Sequence, residues 1–161
     1  MPERPAPLPG LAASSSRPQS YLSFDFGTRR VGVATGNSLL GLAQPLKTLS
    51  VEGDARFAAI AQLISQWQPS ALVVGVPFHP DGAAHDNTRR AQRFARQLHG
   101  RFRLPVHEVD ERYTTTEALA AGAADADAAA AALILEQFLR GAAATDHAPS
   151  PPVQDPADAA A

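Results

Sequence analysis

The sequence contains no cysteine. That excludes disulfides, cysteine nucleophiles and thiolate metal sites. It also has little charge: Asp, Glu, Lys and Arg make up 19% of the chain and the formal net charge is −2, against roughly 25% charged residues in a typical soluble domain. Bulk electrostatics therefore does not mark a polyanion binder, and only a local basic patch could act as one. No apolar run approaches the ~20 residues of a membrane span; "ALVVGV" at 71–76 is among the longest. Prolines 2, 5, 7 and 9 interrupt the place where a signal core would lie. The five histidines, at 79, 85, 99, 107 and 147, lack metal-ligand spacing. No P-loop occurs, and glycines 27, 32 and 36 precede a second strand rather than the helix that a dinucleotide fingerprint requires. These absences predict a cytoplasmic protein with no membrane segment, no zinc site and no nucleotide loop.

What is present fits one domain. The chain has 161 residues, 45% of them apolar, enough to bury a core. Residues 1–20 and 141–161 are rich in Pro, Ser and Ala. Such composition buries too little apolar surface to offset ordering entropy, so both are expected to be disordered tails around a domain at 21–140. Within it, "YLSFDFG" (21–27) and "VGVATG" (31–36) read as strands joined by Thr28, Arg29 and Arg30, hence an antiparallel hairpin. "GLAQPLKTL" (41–49) is a third strand whose Pro45 favours a sheet edge. Phe57, Ile60, Ala61, Ile64 and Trp67 recur at helical spacing over 54–67. "ALVVGV" (71–76) reads as a buried parallel strand. A helix follows over 87–100, capped by Asn87 or Thr88 and ended by Gly100, then a strand at 104–109. Further helices are expected at 114–122 and from about Asp127 to Arg140. The order predicts an α/β protein: a mixed five-stranded sheet, three antiparallel strands then two parallel, with helices on its faces.

The acidic residues fall in telling places. Asp25 interrupts a strand, between Phe24 and Phe26. Asp110 and Glu111 close the last strand and Asp127 opens the last helix. Each has a structural alternative: Asp127 as a helix cap, Asp110 or Glu111 as a turn residue or a partner of Arg112. Ligand sites of open α/β sheets gather at the carboxyl ends of strands. Three carboxylates converging there repel one another, and a divalent cation offsets that repulsion. The basic residues cluster too. Arg89, Arg93 and Arg96 share the helix face opposite Ala91, Phe94, Ala95 and Leu98, either as a solvated face or as a phosphate-binding one. Arg29 and Arg30 add charge to the hairpin tip beside Asp25.

"FDFGTRRVGVA", "VVGVPFHPDG", "TRRAQRFARQLHGRF", "DERYTTTEA" and "DADAAAAALILEQFL", in that order over about 21–140, resemble the YqgF family of ribonuclease H-like nucleases. Its members are described as candidate pre-16S rRNA nucleases and as candidate Holliday junction resolvases. The resemblance implies a ribonuclease H-like fold and makes Asp25, Glu111 and Asp127 the catalytic and metal-binding residues, with Mg2+ or Mn2+ as cofactor. It implies hydrolysis of a phosphodiester in RNA, at the 5′ end of precursor small-subunit rRNA and in association with ribosome assembly, with branched DNA as the alternative substrate. Arg29, Arg30, Arg89, Arg90, Arg93, Arg96 and Arg112 would then bind nucleic acid, as phosphate contacts that carry little sequence information. The segment between Glu111 and Asp127 is shorter than the family pattern, and Asp125 stands where a basic residue is expected, which makes Asp125 a substitute ligand to test.

Two other classes are open to the residues. "DFGT" also resembles the first phosphate loop of actin-like and sugar-kinase ATPases, but some 120 domain residues leave no room for a second half that closes on a nucleotide. A non-catalytic RNA-binding assembly factor on the same scaffold is the other, and the intact carboxylates argue against it. A monomer and a homodimer fit the sequence equally.

Overall fold

A computed structural model describes residues 18–79, 81–111 and 124–145. The expected tails, the helix at 114–122 and Arg112 lie outside the described residues, apart from the inner ends of the tails. Among the described residues, five strands and three helices follow in chain order: β1 (Ser20–Phe26), β2 (Val31–Asn37), β3 (Ala43–Leu49), α1 (Gly53–Trp67), β4 (Ala71–Val76), α2 (Asp86–Phe102), β5 (Val106–Asp110) and α3 (Ala126–Thr145). β1 begins at Ser20 and α3 runs to Thr145, past the expected limits of 21 and 140. The reason at the second end is local: "GAAAT" carries three strong helix formers.

The strand order is β3-β2-β1-β4-β5. β1 pairs antiparallel with β2 and β2 with β3, while β4 lies parallel to β1 and β5 parallel to β4. This is the mixed ribonuclease H-like sheet that the sequence predicts. Pro45 sits on the edge strand, and the β2–β3 register shifts beside it, between Val33 and Ala34. An edge accepts proline because the missing N–H is not needed by a further neighbour.

Alternation along the strands sends side chains to two cores. Leu22 and Phe24 of β1, Val31 and Val33 of β2 and Leu72, Val74 and Val76 of β4 face one way, and pack with Phe57, Ile60 and Leu63 of α1 and Ala91, Phe94, Ala95 and Leu98 of α2. Phe94 is the hub, with its ring centroid 5.1 Å from Phe26 and 5.9 Å from both Phe24 and Phe57. Tyr21, Ala71, Val73 and Val109 face the other way, against Ile134, Leu135 and Leu139 of α3. The sheet is therefore sandwiched between α1 and α2 on one face and α3 on the other.

Helix ends differ from the sequence expectation in two places. α2 is capped by His85, whose Nδ1 accepts a hydrogen bond from the Asn87 N–H, and Thr88 completes a capping box by accepting from the His85 N–H. The Thr88 hydroxyl also donates to the Pro77 carbonyl, which ties the first turn of α2 to the loop after β4, with Thr88 as the third helical residue rather than the cap. Gly100 lies inside the helix, which ends at Arg103 in the left-handed region, φ 59°. The buried face of α1 is also turned: Arg56 and Leu63 are buried, Ala61 is exposed and Trp67 is 37% exposed.

Candidate nucleic-acid-cleaving site

Asp25 occupies the α3 face of the central strand. Its β1 neighbours on that face are Tyr21 and Ser23, and the Ser23 hydroxyl donates to the Ala131 carbonyl of α3 at 2.8 Å. Across the sheet Asp25 is in register with Gly32 on β2 and with Gly75 on β4. A glycine on each side leaves the carboxylate's flanks without side chains, and that space is used. A Cβ on Gly32 would lie 1.9 Å from the Asp127 carbonyl oxygen and 2.8 Å from the Ala128 nitrogen, so the first turn of α3 rests directly on the β2 backbone. A Cβ on Gly75 would lie 2.6 Å from Glu111 Oε1 and 2.4 Å from Ile134 Cδ1. The Glu111 carboxylate thus lies over the β4 register partner of Asp25, and the Asp127 main chain lies over its β2 register partner.

The alanines of α3 make that approach possible. Ala128, Ala131 and Ala132 are buried, the last two against Ala34 of β2. Larger residues there would hold the helix axis farther off the sheet. Farther along the helix, Ile134, Leu135 and Leu139 are buried, and Phe138 meets Tyr21 edge-on at 5.2 Å. The small-to-large gradient presses the N-terminal end of α3 towards Asp25.

Strand alternation also separates Asp110 from Glu111. Val109 faces α3, so Asp110, the next residue, faces away from Asp25, and Glu111 returns to the Asp25 side. Asp125 is the N-cap of α3: its Oδ1 accepts from the Ala128 N–H at 3.1 Å and from the Thr48 hydroxyl. The cap expected of Asp127 is therefore made by Asp125, and the same bonds tie Asp125 to β3 rather than to the carboxylate group. Asp127 Oδ2 lies 3.1 Å from Arg30 Nε, in a pair with side chains 34% and 64% exposed respectively.

Asp25, Glu111 and Asp127 match a hard divalent cation in donor type, since all offer carboxylate oxygens. Over Gly32 the α3 main chain fills the space beside Asp25, and over Gly75 the Glu111 carboxylate and the Ile134 side chain fill it. Among the described residues no three His, Asp or Glu side chains form a ready-made ligand cluster; in this arrangement Asp127 is engaged by Arg30 instead.

The arginines separate into groups. Arg29 and Arg30 are exposed at the β1–β2 turn. α2 starts where β4 ends, so Arg89 and Arg90 lie at the carboxylate end of the sheet, but α2 packs on the opposite face from α3. Arg89, Arg90 and Arg93 are exposed; Arg89 reaches Asp86 at 3.5 Å. Arg96 does not belong to that exposed set. Its Nε is buried, and its charge acts on Glu108 of β5, which Gln92 also hydrogen-bonds. Arg101 lies 3.6 Å from Asp54 and 4.0 Å over the Phe57 ring. The helix thus has acidic neighbours that sequence spacing did not reveal, because Asp54 and Glu108 come from other elements.

Arg56 went unnoticed in the sequence. A charged residue in the first turn of a helix reads as solvent-facing, yet Arg56 is only 6% exposed. Its Nε donates to the Val51 carbonyl and its Nη2 to the Thr28 carbonyl, each at 3.0 Å.

The sheet order and strand directions define a ribonuclease H-like protein. A family model described as "RuvX: Holliday junction resolvase" matches residues 19–141. The chain is 70% identical over 122 residues to a protein of Albidiferax ferrireducens, covering 76% of this chain and 78% of that one. It is 64% identical over 135 residues to one from a Polaromonas species, covering 84% and 96%. Both carry the name "Putative pre-16S rRNA nuclease". Among solved structures, T. thermophilus RuvC in complex with a Holliday junction substrate aligns at TM-score 0.49 and 15% identity, over 76% of this chain and 96% of that one. The chain belongs to the RuvX family, the YqgF family of the sequence resemblance.

Proposed function

We propose that this protein is a cytoplasmic, divalent-metal-dependent nuclease that hydrolyses RNA phosphodiester bonds in the 5′-end processing of pre-16S rRNA. One observation supports the reading: Gly75 and Gly32, the two register partners of Asp25, are covered by the Glu111 carboxylate and by the Asp127 main chain. Three carboxylates, if they converge at this end of the sheet, would suit a cation better than they suit one another. Asp25, Glu111 and Asp127 would hold Mg2+ or Mn2+. Such an ion, when bound, supplies Lewis acidity that activates water and neutralises charge on the phosphodiester.

The chain's own residues do the rest. Arg29 and Arg30 stand at the hairpin tip beside Asp25 and meet the phosphate backbone there. Arg89, Arg90 and Arg93 extend the basic surface around the edge of the sheet. Arginine suits this work because its planar fork makes paired contacts with phosphate oxygens. Arg30 has a second role: it pairs with Asp127 at 3.1 Å, so the residue that would meet the phosphate also neutralises a carboxylate that would hold the cation. The substrate class is supported by the names of the relatives, which specify pre-16S rRNA.

A second reading, cleavage of branched DNA, is favoured by the description of the family model as a Holliday junction resolvase. Matched precursor rRNA and four-way DNA junction substrates, each with Mg2+ or Mn2+, separate the two. Wild type is expected to cut the RNA, and Asp25→Asn and Glu111→Gln to cut neither. Cleavage by Asp25→Asn at the wild-type rate would refute the carboxylate site.

A further inference from the structure

Arg56 joins two loops that the sequence does not connect. It lies in the first turns of α1, buried, with Nε on the carbonyl of Val51 before that helix and Nη2 on the carbonyl of Thr28 in the β1–β2 turn. Its guanidinium also sits 5.6 Å from the Phe26 ring centroid, at the last residue of β1. Burial pushes its pKa down and nearby Glu52 pushes it up; the guanidinium stays charged in either case. A charge held in the interior costs several kcal/mol unless its donors are satisfied. Here two donors are satisfied by main-chain carbonyls from separate loops. A lysine ammonium lacks the divergent planar donors that span them.

The turn it grips is short, from Gly27 to Arg30, so anchoring the Thr28 carbonyl restrains the next two residues. Those residues are Arg29 and Arg30, and Arg30 is the one that reaches Asp127 at 3.1 Å. From the buried end outward the connection runs Arg56, Thr28, Arg30, Asp127. We propose that Arg56 is a positioning residue: through the Thr28 carbonyl it holds the β1–β2 turn so that Arg29 and Arg30 present their guanidinium groups to a nucleic-acid phosphate. It touches neither nucleic acid nor cation itself. The inference rests on the nucleic-acid reading of the hairpin tip made above.

The test is a double-mutant cycle on binding, not cleavage. A fluorescent single-stranded RNA is titrated, in EDTA, with wild type, Arg56→Met, Arg30→Gln and the double variant, with thermal melting of each. Arg56→Met is expected to weaken binding roughly three- to tenfold, with a flatter salt dependence. The double variant is expected to lose less than the product of the two single losses, because Arg56 acts in part through Arg30 and in part through Arg29. Arg93→Gln, on another element, is expected to combine with Arg56→Met multiplicatively. If Arg56→Met does not fold, Arg56→Lys replaces it, and a loss smaller than that of Arg30→Gln is expected. Lower melting temperature with wild-type affinity and salt slope would overturn the proposal and leave Arg56 as a packing residue. Multiplicative loss with Arg30→Gln would overturn it as well. Wild-type affinity in both Arg30→Gln and Arg56→Met would instead overturn the reading that this turn meets phosphate.

Discussion

Replacing Gly32 by alanine tests the close contact on which the site depends. The added Cβ would fall 1.9 Å from the Asp127 carbonyl oxygen and 2.8 Å from the Ala128 nitrogen. Both are main-chain atoms in a capped helix, so no side-chain rotation can relieve the clash. The first turn of α3 must retreat by roughly 1 Å, and overpacking of this kind costs about 1–3 kcal/mol. For a domain of this size that is a fall of roughly 5–10 °C in Tm. A 1 Å displacement of a reacting group can cost on the order of 10²-fold in rate, so Gly32→Ala should lose cleavage while remaining folded at 25 °C. Gly75→Ala provides the contrast. The atoms nearest its Cβ would belong to side chains, Ile134 Cδ1 at 2.4 Å and Glu111 Oε1 at 2.6 Å. Those ends can rotate, so stability should fall less, yet the Glu111 carboxylate must leave its place and cleavage should fall as far. Melting by circular dichroism and a fixed-substrate cleavage assay measure both. Wild-type melting and cleavage in Gly32→Ala would refute the argument that the backbone contact places Asp127.

Two other outcomes are expected. Arg89→Gln combined with Arg93→Gln should weaken RNA binding and flatten its salt dependence by up to about 1.4 units of slope, since each contact to a single strand contributes about 0.7; an unchanged slope would make α2 a solvated face. Burial pushes the His107 imidazole below its ordinary 6.5, where it stacks on Phe138 with centroids 4.8 Å apart. The unfolded chain then takes up that proton first, so stability should decline as pH falls through about 6.5 towards the lower folded value. Denaturant titrations at pH 7.5 and 5.5 should show a smaller decline in His107→Phe than in wild type, and equal declines would remove His107 as a cause.

The sequence by itself determined the sheet. The tight Thr28–Arg30 turn made β1 and β2 a hairpin, Pro45 put β3 at an edge, and the unbroken apolar run of β4 required cover on both faces. Those features act over a few residues, through backbone geometry and side-chain period, so they are legible without a fold. The carboxylates were legible as a motif, and the order of Asp25, Glu111 and Asp127 carried the family resemblance. What only the tertiary structure decided is how distant segments meet. It placed α2 and α3 on opposite faces, so the arginine-rich helix and the carboxylates share an end of the sheet but not a side. It gave Arg96 a neighbour in Glu108, made Asp125 the cap in place of Asp127, and buried Arg56 against Thr28. Period along a chain says which side chains share a face. It does not say what that face will touch, because such contacts depend on how closely two backbones approach, and here Gly32 and the alanines of α3 set that distance.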